Sequence, residues 1–237
     1  MQHHFAHNLS ILRQKKGLSW EAALQRFLGW NYWENGNMEP SLEDLLDISA
    51  YFGISIDHLL KHKQLPLSVD IQQIKLLLLD IDGVMTQGGM FYTEKGDRMK
   101  CFNAKDGLAL NRAAKTGLQI GIVSATEDAN IVAERAKTLK ITRLYTGRRP
   151  KLEIVTEWLA EMNLTFENVA YIGDDLNDLP VMQKVAVAAC PNDAATQVRD
   201  HAHIILHKKG GEACVREFLE EILQIPLAEL GSVPAIF

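Results

Sequence analysis

Only three cysteines occur in the 237 residues, at positions 101, 190 and 214, with no CxxC pair among them. An odd, widely spaced set excludes a disulfide framework and a cysteine-built zinc site, and fits reduced thiols, mostly buried, in a cytoplasmic protein. No apolar run approaches the roughly 20 residues needed to cross a bilayer. The opening Met1-Gln2-His3-His4-Phe5 lacks the pattern of a secretory signal. No membrane partner is expected. A basic surplus is also missing: the formal net charge is −5, which gives no general reason to bind nucleic acid. Internal repeats and low-complexity tracts are absent. What remains is ordinary globular composition, 47% hydrophobic and 23% charged, at a length that suits one or two domains.

Against that background the segment Leu76-Leu77-Leu78-Leu79-Asp80-Ile81-Asp82-Gly83-Val84-Met85-Thr86 stands out. Four leucines ending on a polar turn read as a strand buried on both faces, as in parallel sheets. Asp80 and Asp82 follow at its carboxyl end, where open α/β sheets place their ligand crevices. Residues i and i+2 of an extended segment point the same way, so both carboxylates can serve one site. Gly83 lets the backbone turn sharply and approach a ligand. An Asx turn at a strand end would account for this pair if it stood alone.

It has company downstream. Tyr171-Ile172-Gly173-Asp174-Asp175-Leu176-Asn177-Asp178 again delivers carboxylates after an apolar run. Carboxylate oxygens are the ligands Mg²⁺ prefers, with waters and a substrate phosphate in its remaining positions. Between the two clusters lie Ser124, ending the strand-like Gln119–Val123, and Lys151, opening a helical segment. A hydroxyl and an ammonium suit phosphoryl oxygens.

The ordered set DxDGxxT, Ser, Lys, GDDxxxD resembles the haloacid dehalogenase-like phosphatases over roughly residues 74 to 223. The resemblance implies an enzyme, a phosphoric monoester hydrolase that works through an aspartyl-phosphate with Mg²⁺ as cofactor. Asp80 would be its nucleophile and Asp82 its general acid and base. Asp174, the Asp80 carboxylate and the Asp82 carbonyl would hold the metal, supported by Asp175 and Asp178. Ser124 and Lys151 would bind the phosphate, with Gly83 and Asn177 beside them.

Asp80 to Ser124 spans 44 residues and Lys151 to Asp174 spans 23. Neither gap holds a separate cap domain, which narrows the resemblance to capless members, whose sites are covered by neighbouring subunits of a homotetramer. Within that group, Phe102-Asn103-Ala104-Lys105-Asp106-Gly107 and Gly210-Gly211-Glu212-Ala213-Cys214-Val215-Arg216-Glu217 are similar to the 3-deoxy-D-manno-octulosonate 8-phosphate phosphatases. A phosphorylated sugar acid needs cations for its carboxylate, and Lys105 and Lys100 are the candidates. The chain departs where those phosphatases carry Thr-Gly-Arg, having Ser124-Ala125-Thr126-Glu127 instead. A glutamate near this place resembles the phosphatases of nine-carbon sugar acids; alternatively Glu127 favours the positive end of the following helix. A broad-specificity phosphatase and a sugar-phosphate-sensing regulator remain as alternatives.

The expected fold is α/β, a Rossmann-like parallel sheet with helices on both faces (residues 67–237), behind a small all-α domain (residues 1–66). Strands are predicted at 75–80, 119–124, 143–145, 169–173, 185–189 and 203–206. Helices are predicted at 106–116, 127–139, 151–162, 176–183, 193–199 and 211–223. Residues 88–102 read as a β-hairpin turning near 94–97, and 64–70 as a linker. The tail from Ile225 to Phe237 is apolar and is expected to dock.

In the first domain, short amphipathic segments at 8–16, 19–27, 41–52 and 56–60 are capped by Ser19, Ser41 and Ser55. The strings Leu12–Ser19, Trp33–Gly36 and Glu39–Leu42 resemble phage-repressor helix-turn-helix domains. The stretch from Leu18 to Gly36 is about one helical turn shorter than that family's. Its remnant, Leu28–Trp33, is aromatic and holds no lysine or arginine. Residues 1–66 carry six Lys/Arg against seven Asp/Glu, where a DNA reader shows a basic face. DNA binding is not expected; packing, dimerisation or docking is.

Overall fold

The computed structural model describes residues 2–54, 56–61, 70–95, 98–126 and 129–226. The chain divides into two compact units, the second beginning at Asp70.

The first unit is helical, with α1 (Gln2–Lys15), α2 (Trp20–Arg26), α3 (Trp30–Glu34), α4 (Leu42–Phe52) and α5 (Ile56–Lys61). Two of the serine caps form as the sequence predicts. Ser19 accepts the N–H of Ala22, and Ser41 and Asp44 make a reciprocal capping box. Ser55 and most of the 64–70 linker lie outside the described residues. Leu9, Trp30, Ile48 and Leu59 are fully buried and Trp33 nearly so. The aromatic stretch therefore forms a short helix whose two tryptophans are core. Arg13 ties α1 to α3 through Glu34 at 3.0 Å.

After the helical unit the chain forms a six-stranded sheet in the order β5-β4-β1-β6-β7-β8. Its strands are β1 (Leu76–Leu79), β4 (Gln119–Ser124), β5 (Arg143–Thr146), β6 (Val169–Ile172), β7 (Val187–Cys190) and β8 (Ile204–Ile205). The β1–β4, β1–β6, β4–β5 and β6–β7 pairs are all parallel. All four leucines of β1 are fully buried, as a central strand covered on both faces requires. A separate antiparallel hairpin pairs β2 (Phe91–Tyr92) with β3 (Arg98–Met99). Its turn residues 96 and 97 lie outside the described set.

The flanking helices are α6 (Ala104–Lys115), α7 (Ala129–Thr138), α8 (Lys151–Met162), α9 (Leu179–Met182), α10 (Thr196–His201) and α11 (Cys214–Glu217). Four depart from expectation, among them α10, which begins three residues later and ends two later than the predicted 193–199. Asn103 accepts the N–H of Lys105, so α6 starts two residues earlier than predicted. The helix predicted over 176–183 shrinks to α9, because Asp178 draws the N–H groups of Asp174 and Asp175 into a tight loop instead. The helix predicted over 211–223 is α11 followed by a wider helical turn, Phe218–Ile222. Cys190 and Cys214 are buried, with desolvation pushing the Cys190 thiol up to about 12, and Cys101 is exposed, so the thiols are mostly buried as expected. The apolar tail beyond residue 226 lies outside the described residues, and no described helix is long and apolar enough to cross a membrane.

Candidate active site

The register of β1 explains the site. Leu79 stands level with Ile122 of β4 on one side and Ile172 of β6 on the other. β1 and β6 therefore end level while β4 runs on two residues to Ser124, and Asp80, Ser124 and Asp174 emerge at one edge. β1 sits where the connections diverge to either side, the usual place for a ligand crevice in such sheets. There a cleft of about 420 Å³ is lined by Asp80, Asp82, Ser124, Ala125, Thr126, Asp174, Asp175 and Asn177, with Met90, Tyr92 and Arg98 contributed by the hairpin.

Lys151, the first residue of α8, is buried beneath these carboxylates. Its Nζ lies 3.0 Å from Asp80 Oδ2 and 2.6 Å from Asp178 Oδ1. Burial pulls its pKa down, but the two carboxylates outweigh that, and the ammonium is held more firmly than usual. Asp178 is fully buried and engaged on both oxygens. Oδ1 also accepts the Tyr171 hydroxyl, and Oδ2 accepts the N–H groups of Asp174 (2.9 Å) and Asp175 (3.2 Å). It acts as an anchor for the loop, with no oxygen left over for another ligand.

Asp80 and Asp174 differ from it. Oδ1 of each is buried without a hydrogen-bond partner among the described residues. Carboxylate oxygens of Asp80, Asp174 and Asp178 all lie within 4.8 Å of one another. Burial pushes Asp80 up to about 6, with the Asp178 charge adding and Lys151 opposing. Burial likewise raises Asp174 to about 8, with Asp80 and Asp178 adding. Two buried, orphaned, all-oxygen donors crowded together are what a hard divalent cation satisfies.

Gly83 adopts φ +87°, and a Cβ there would stand 1.9 Å from Asp174 Oδ2. Its close approach is to that carboxylate, and it is not among the cleft-lining residues, against the expectation that it touches a ligand. Asp82 is partly exposed and is held by Lys100 Nζ at 2.5 Å and more loosely by the Thr86 hydroxyl at 3.4 Å. Ser124 is buried and accepts the N–H of Thr126, shaping the loop after β4. Lys105 sits exposed on the first turn of α6 and does not line the cleft. Glu127 lies outside the described residues.

Sequence reasoning missed Tyr171, Tyr92 and Arg98. Tyr171 had a faint signal, a lone polar tip in an apolar strand. The hairpin residues had none, because their place over the cleft is a matter of folding. A second convergent group, His207, Glu217 and Glu221, was also missed. Glu217 spends its oxygens on the N–H groups of His207 and Lys208 and so holds that loop.

A family model for haloacid dehalogenase-like hydrolases matches residues 126–218. The chain is 35% identical over 162 residues to the 3-deoxy-D-manno-octulosonate 8-phosphate phosphatase of Escherichia coli K12, covering 67% of this chain and 86% of that protein. A crystal structure of the phosphatase of that name from Yersinia pestis superposes with a TM-score of 0.63 at 37% identity, over 67% of this chain and 86% of the other. One from Moraxella catarrhalis, in complex with magnesium, phosphate and KDO, gives 0.63 at 31% identity, over 65% of this chain and 88% of the other.

Proposed function

The chain belongs to the haloacid dehalogenase-like phosphatases, and from that premise we infer that it is a Mg²⁺-dependent hydrolase of a phosphorylated keto-deoxy sugar acid, of the 3-deoxy-D-manno-octulosonate 8-phosphate type. The observation that carries this reading is the Asp80–Lys151–Asp178–Asp174 cluster at the ends of adjacent strands. It is supported by the likeness to phosphatases named for that substrate. The nine-carbon homologue is the variant substrate suggested by the loop after Ser124.

Asp80, Asp174 and the Asp82 carbonyl would hold Mg²⁺, which when bound supplies positive charge against the phosphoryl oxygens. The orphaned Oδ1 atoms of Asp80 and Asp174 fit that role. Asp80 attacks phosphorus and carries the phosphoryl group as a mixed anhydride. Asp82 protonates the departing alkoxide and later takes a proton from the attacking water. Lys151 neutralises charge beside Asp80, while Ser124 and Asn177 bind phosphoryl oxygens. Asp175 and Asp178 keep the loop in place. Lys105 acts at the substrate only if a neighbouring copy presents it. Assembly as a homotetramer belongs to this reading, supported by the exposed Met90, Phe91, Tyr92 and Met99 of the hairpin segment. The first unit is read as a helix-turn-helix-like fold used for packing or docking. Its support is that Trp30 and Trp33 are spent on the core.

The test is phosphate release from the eight-carbon and nine-carbon sugar-acid phosphates beside a neutral aldose phosphate. An acid substrate should be preferred in kcat/KM by at least tenfold. Equal rates on all three would leave a broad-specificity phosphatase.

Metal removal should couple to pH. Asp80 and Asp174 titrate above the ordinary carboxylate value of 3.8, so the folded protein binds protons more tightly than the unfolded chain. Stability of the chelated protein should therefore rise as pH falls from about 8 to about 6. Added Mg²⁺ replaces those protons and should raise Tm more at the alkaline end. A Tm in chelator that stays flat across this window, with an Mg²⁺ shift equal at both ends, would remove these two carboxylates from the metal site.

A further inference from the structure

We propose that Asn103, the residue before α6, is a positioning residue for Asp82: it holds the loop 210–214 against the turn that carries Asp82, and so sets where the general acid points. The inference rests on the reading of Asp82 as acid and base given above, and it reaches a residue that does not line the cleft.

A general acid works only when its carboxyl reaches the departing oxygen, so the backbone that carries it must be fixed. The turn Ile81–Met85 is irregular: Asp82 (φ −79°, ψ 116°) and Gly83 (φ 87°) both leave helical geometry. It leans on a neighbouring loop. The Val84 carbonyl accepts the Gly211 N–H at 2.9 Å and the Cys214 thiol at 3.3 Å. Gly210 lies so close that a Cβ there would collide with the Gly83 carbonyl. Two backbones meet at this distance because a residue without a side chain stands between them.

The loop is gripped in its turn by α6. Asn103 Oδ1 caps the helix by accepting the Lys105 N–H at 2.9 Å, and Nδ2 donates to the Gly211 carbonyl, also at 2.9 Å. Gly211 is therefore held on both faces of one residue, by Asn103 through its carbonyl and by Val84 through its N–H. Asn103 is fixed from behind, its own carbonyl accepting from the Arg135 guanidinium at 3.3 Å. One turn along α6, buried Asp106 accepts the Arg216 N–H at 2.8 Å and secures the far end of the loop. Between these anchors Ala213 sits at φ 71°, ψ 34°, a left-handed conformation that a non-glycine residue keeps only where its surroundings dictate it. Capping alone needs no amide, since serine or aspartate serves as well. The Nδ2 donor is what gives Asn103 its second task.

The experiment compares Asn103→Asp and Asn103→Ser with wild type in the full chain, with Mg²⁺ present. Both variants keep an oxygen to cap α6. The first turns an acceptor toward the Gly211 carbonyl, and the second is too short to reach it. The substrates are 3-deoxy-D-manno-octulosonate 8-phosphate, whose alkoxide must be protonated as it leaves, and p-nitrophenyl phosphate, whose phenolate need not be. General acid catalysis contributes about 10²–10⁴-fold, so a misaimed Asp82 should cost at least about tenfold in kcat/KM on the sugar-acid phosphate and no more than about threefold on the aryl phosphate. Tm should stay within a few degrees, because the cap survives. In an Asp82→Asn background the same changes at position 103 should cost nothing further, since the group they misplace is already gone. An equal loss on both substrates, or a loss that multiplies with that of Asp82→Asn, would make Asn103 a general support of the fold and overturn the proposal. Unchanged kcat/KM on both substrates would also overturn it. If Asp82→Asn alone lowers both substrates equally, the reading of Asp82 as the acid falls, and that result is separable because Asn103 is intact when it is measured.

Discussion

Asp80→Asn should lower turnover by about 10⁴- to 10⁶-fold, the range seen when a nucleophile is removed from an intact catalytic set, while the protein still folds. The amide has nearly the shape of the carboxylate and can still accept a hydrogen bond from Lys151, 3.0 Å away in the native protein. It cannot form the anhydride, and it removes one negative charge from the proposed cation site. Stability follows the sign of the pKa shift. Asp80 titrates at about 6 in the fold, mainly because it is buried, so its ionised form costs free energy above that pH. That cost is absent in the asparagine variant and fades in wild type as pH falls toward 3.8. Loss of the Lys151 pairing offsets part of the gain, although Lys151 keeps Asp178. The variant should melt within a few degrees of wild type above pH 7. Phosphate release at saturating substrate, beside thermal unfolding, checks both halves. Turnover within tenfold of wild type would remove Asp80 as the nucleophile.

Asp178→Ala should be the most damaging change to the fold among the site residues, although Asp178 touches no substrate in the proposed chemistry. The side chain is fully buried and accepts from Lys151, from the Tyr171 hydroxyl and from the N–H groups of Asp174 and Asp175. Removing it strands the Tyr171 hydroxyl and the two amides at once and leaves Lys151 with Asp80 alone. A single stranded buried donor costs about 1–3 kcal/mol, and breaking a buried ion pair by deleting one partner about 3–5 kcal/mol. The expected loss is about 4 kcal/mol, a large share of the roughly 5–15 kcal/mol that holds a domain together. Glutamate cannot substitute comfortably, because Gly173 is pressed against Asp178: a Cβ there would lie 2.5 Å from its Cγ. The surviving fold should also lose activity by at least about a hundredfold, since Lys151 and Asp174 both take their positions from Asp178. A urea midpoint unchanged from wild type would show that these contacts carry little.

The two predictions separate roles that look alike in the primary structure. Asp80 and Asp178 both follow apolar strands and both reach Lys151. One has an oxygen left over for chemistry and the other has none, and that distinction is a count of hydrogen bonds.

Much of this molecule was legible from residue order. Buried parallel strands announce themselves as unbroken apolar runs, because both faces must be covered, and β1, β4 and β6 emerged close to their expected limits. Lys151 opens α8 and Met162 closes it, as predicted. Local chemistry also sufficed for the caps at Ser19 and Ser41, since capping uses neighbours a few residues apart. The carboxylates were readable because their places at strand ends follow from the same run pattern. Other features depend on neighbours far apart in the chain. The loop from Gly173 to Asp178 reads as helix in composition, yet its amides turn to a side chain that Lys151 and Tyr171 hold in place. Gly83 looks like a ligand contact until Asp174 is seen filling the space beside it. Lys100 and Lys105 are equivalent cations on paper, but one is drawn to Asp82 and the other faces solvent. Arg98 carries no mark at all in its own segment. It reaches the cleft because a hairpin folds over a strand edge, and such long-range placement is set by packing between elements that local propensity does not encode.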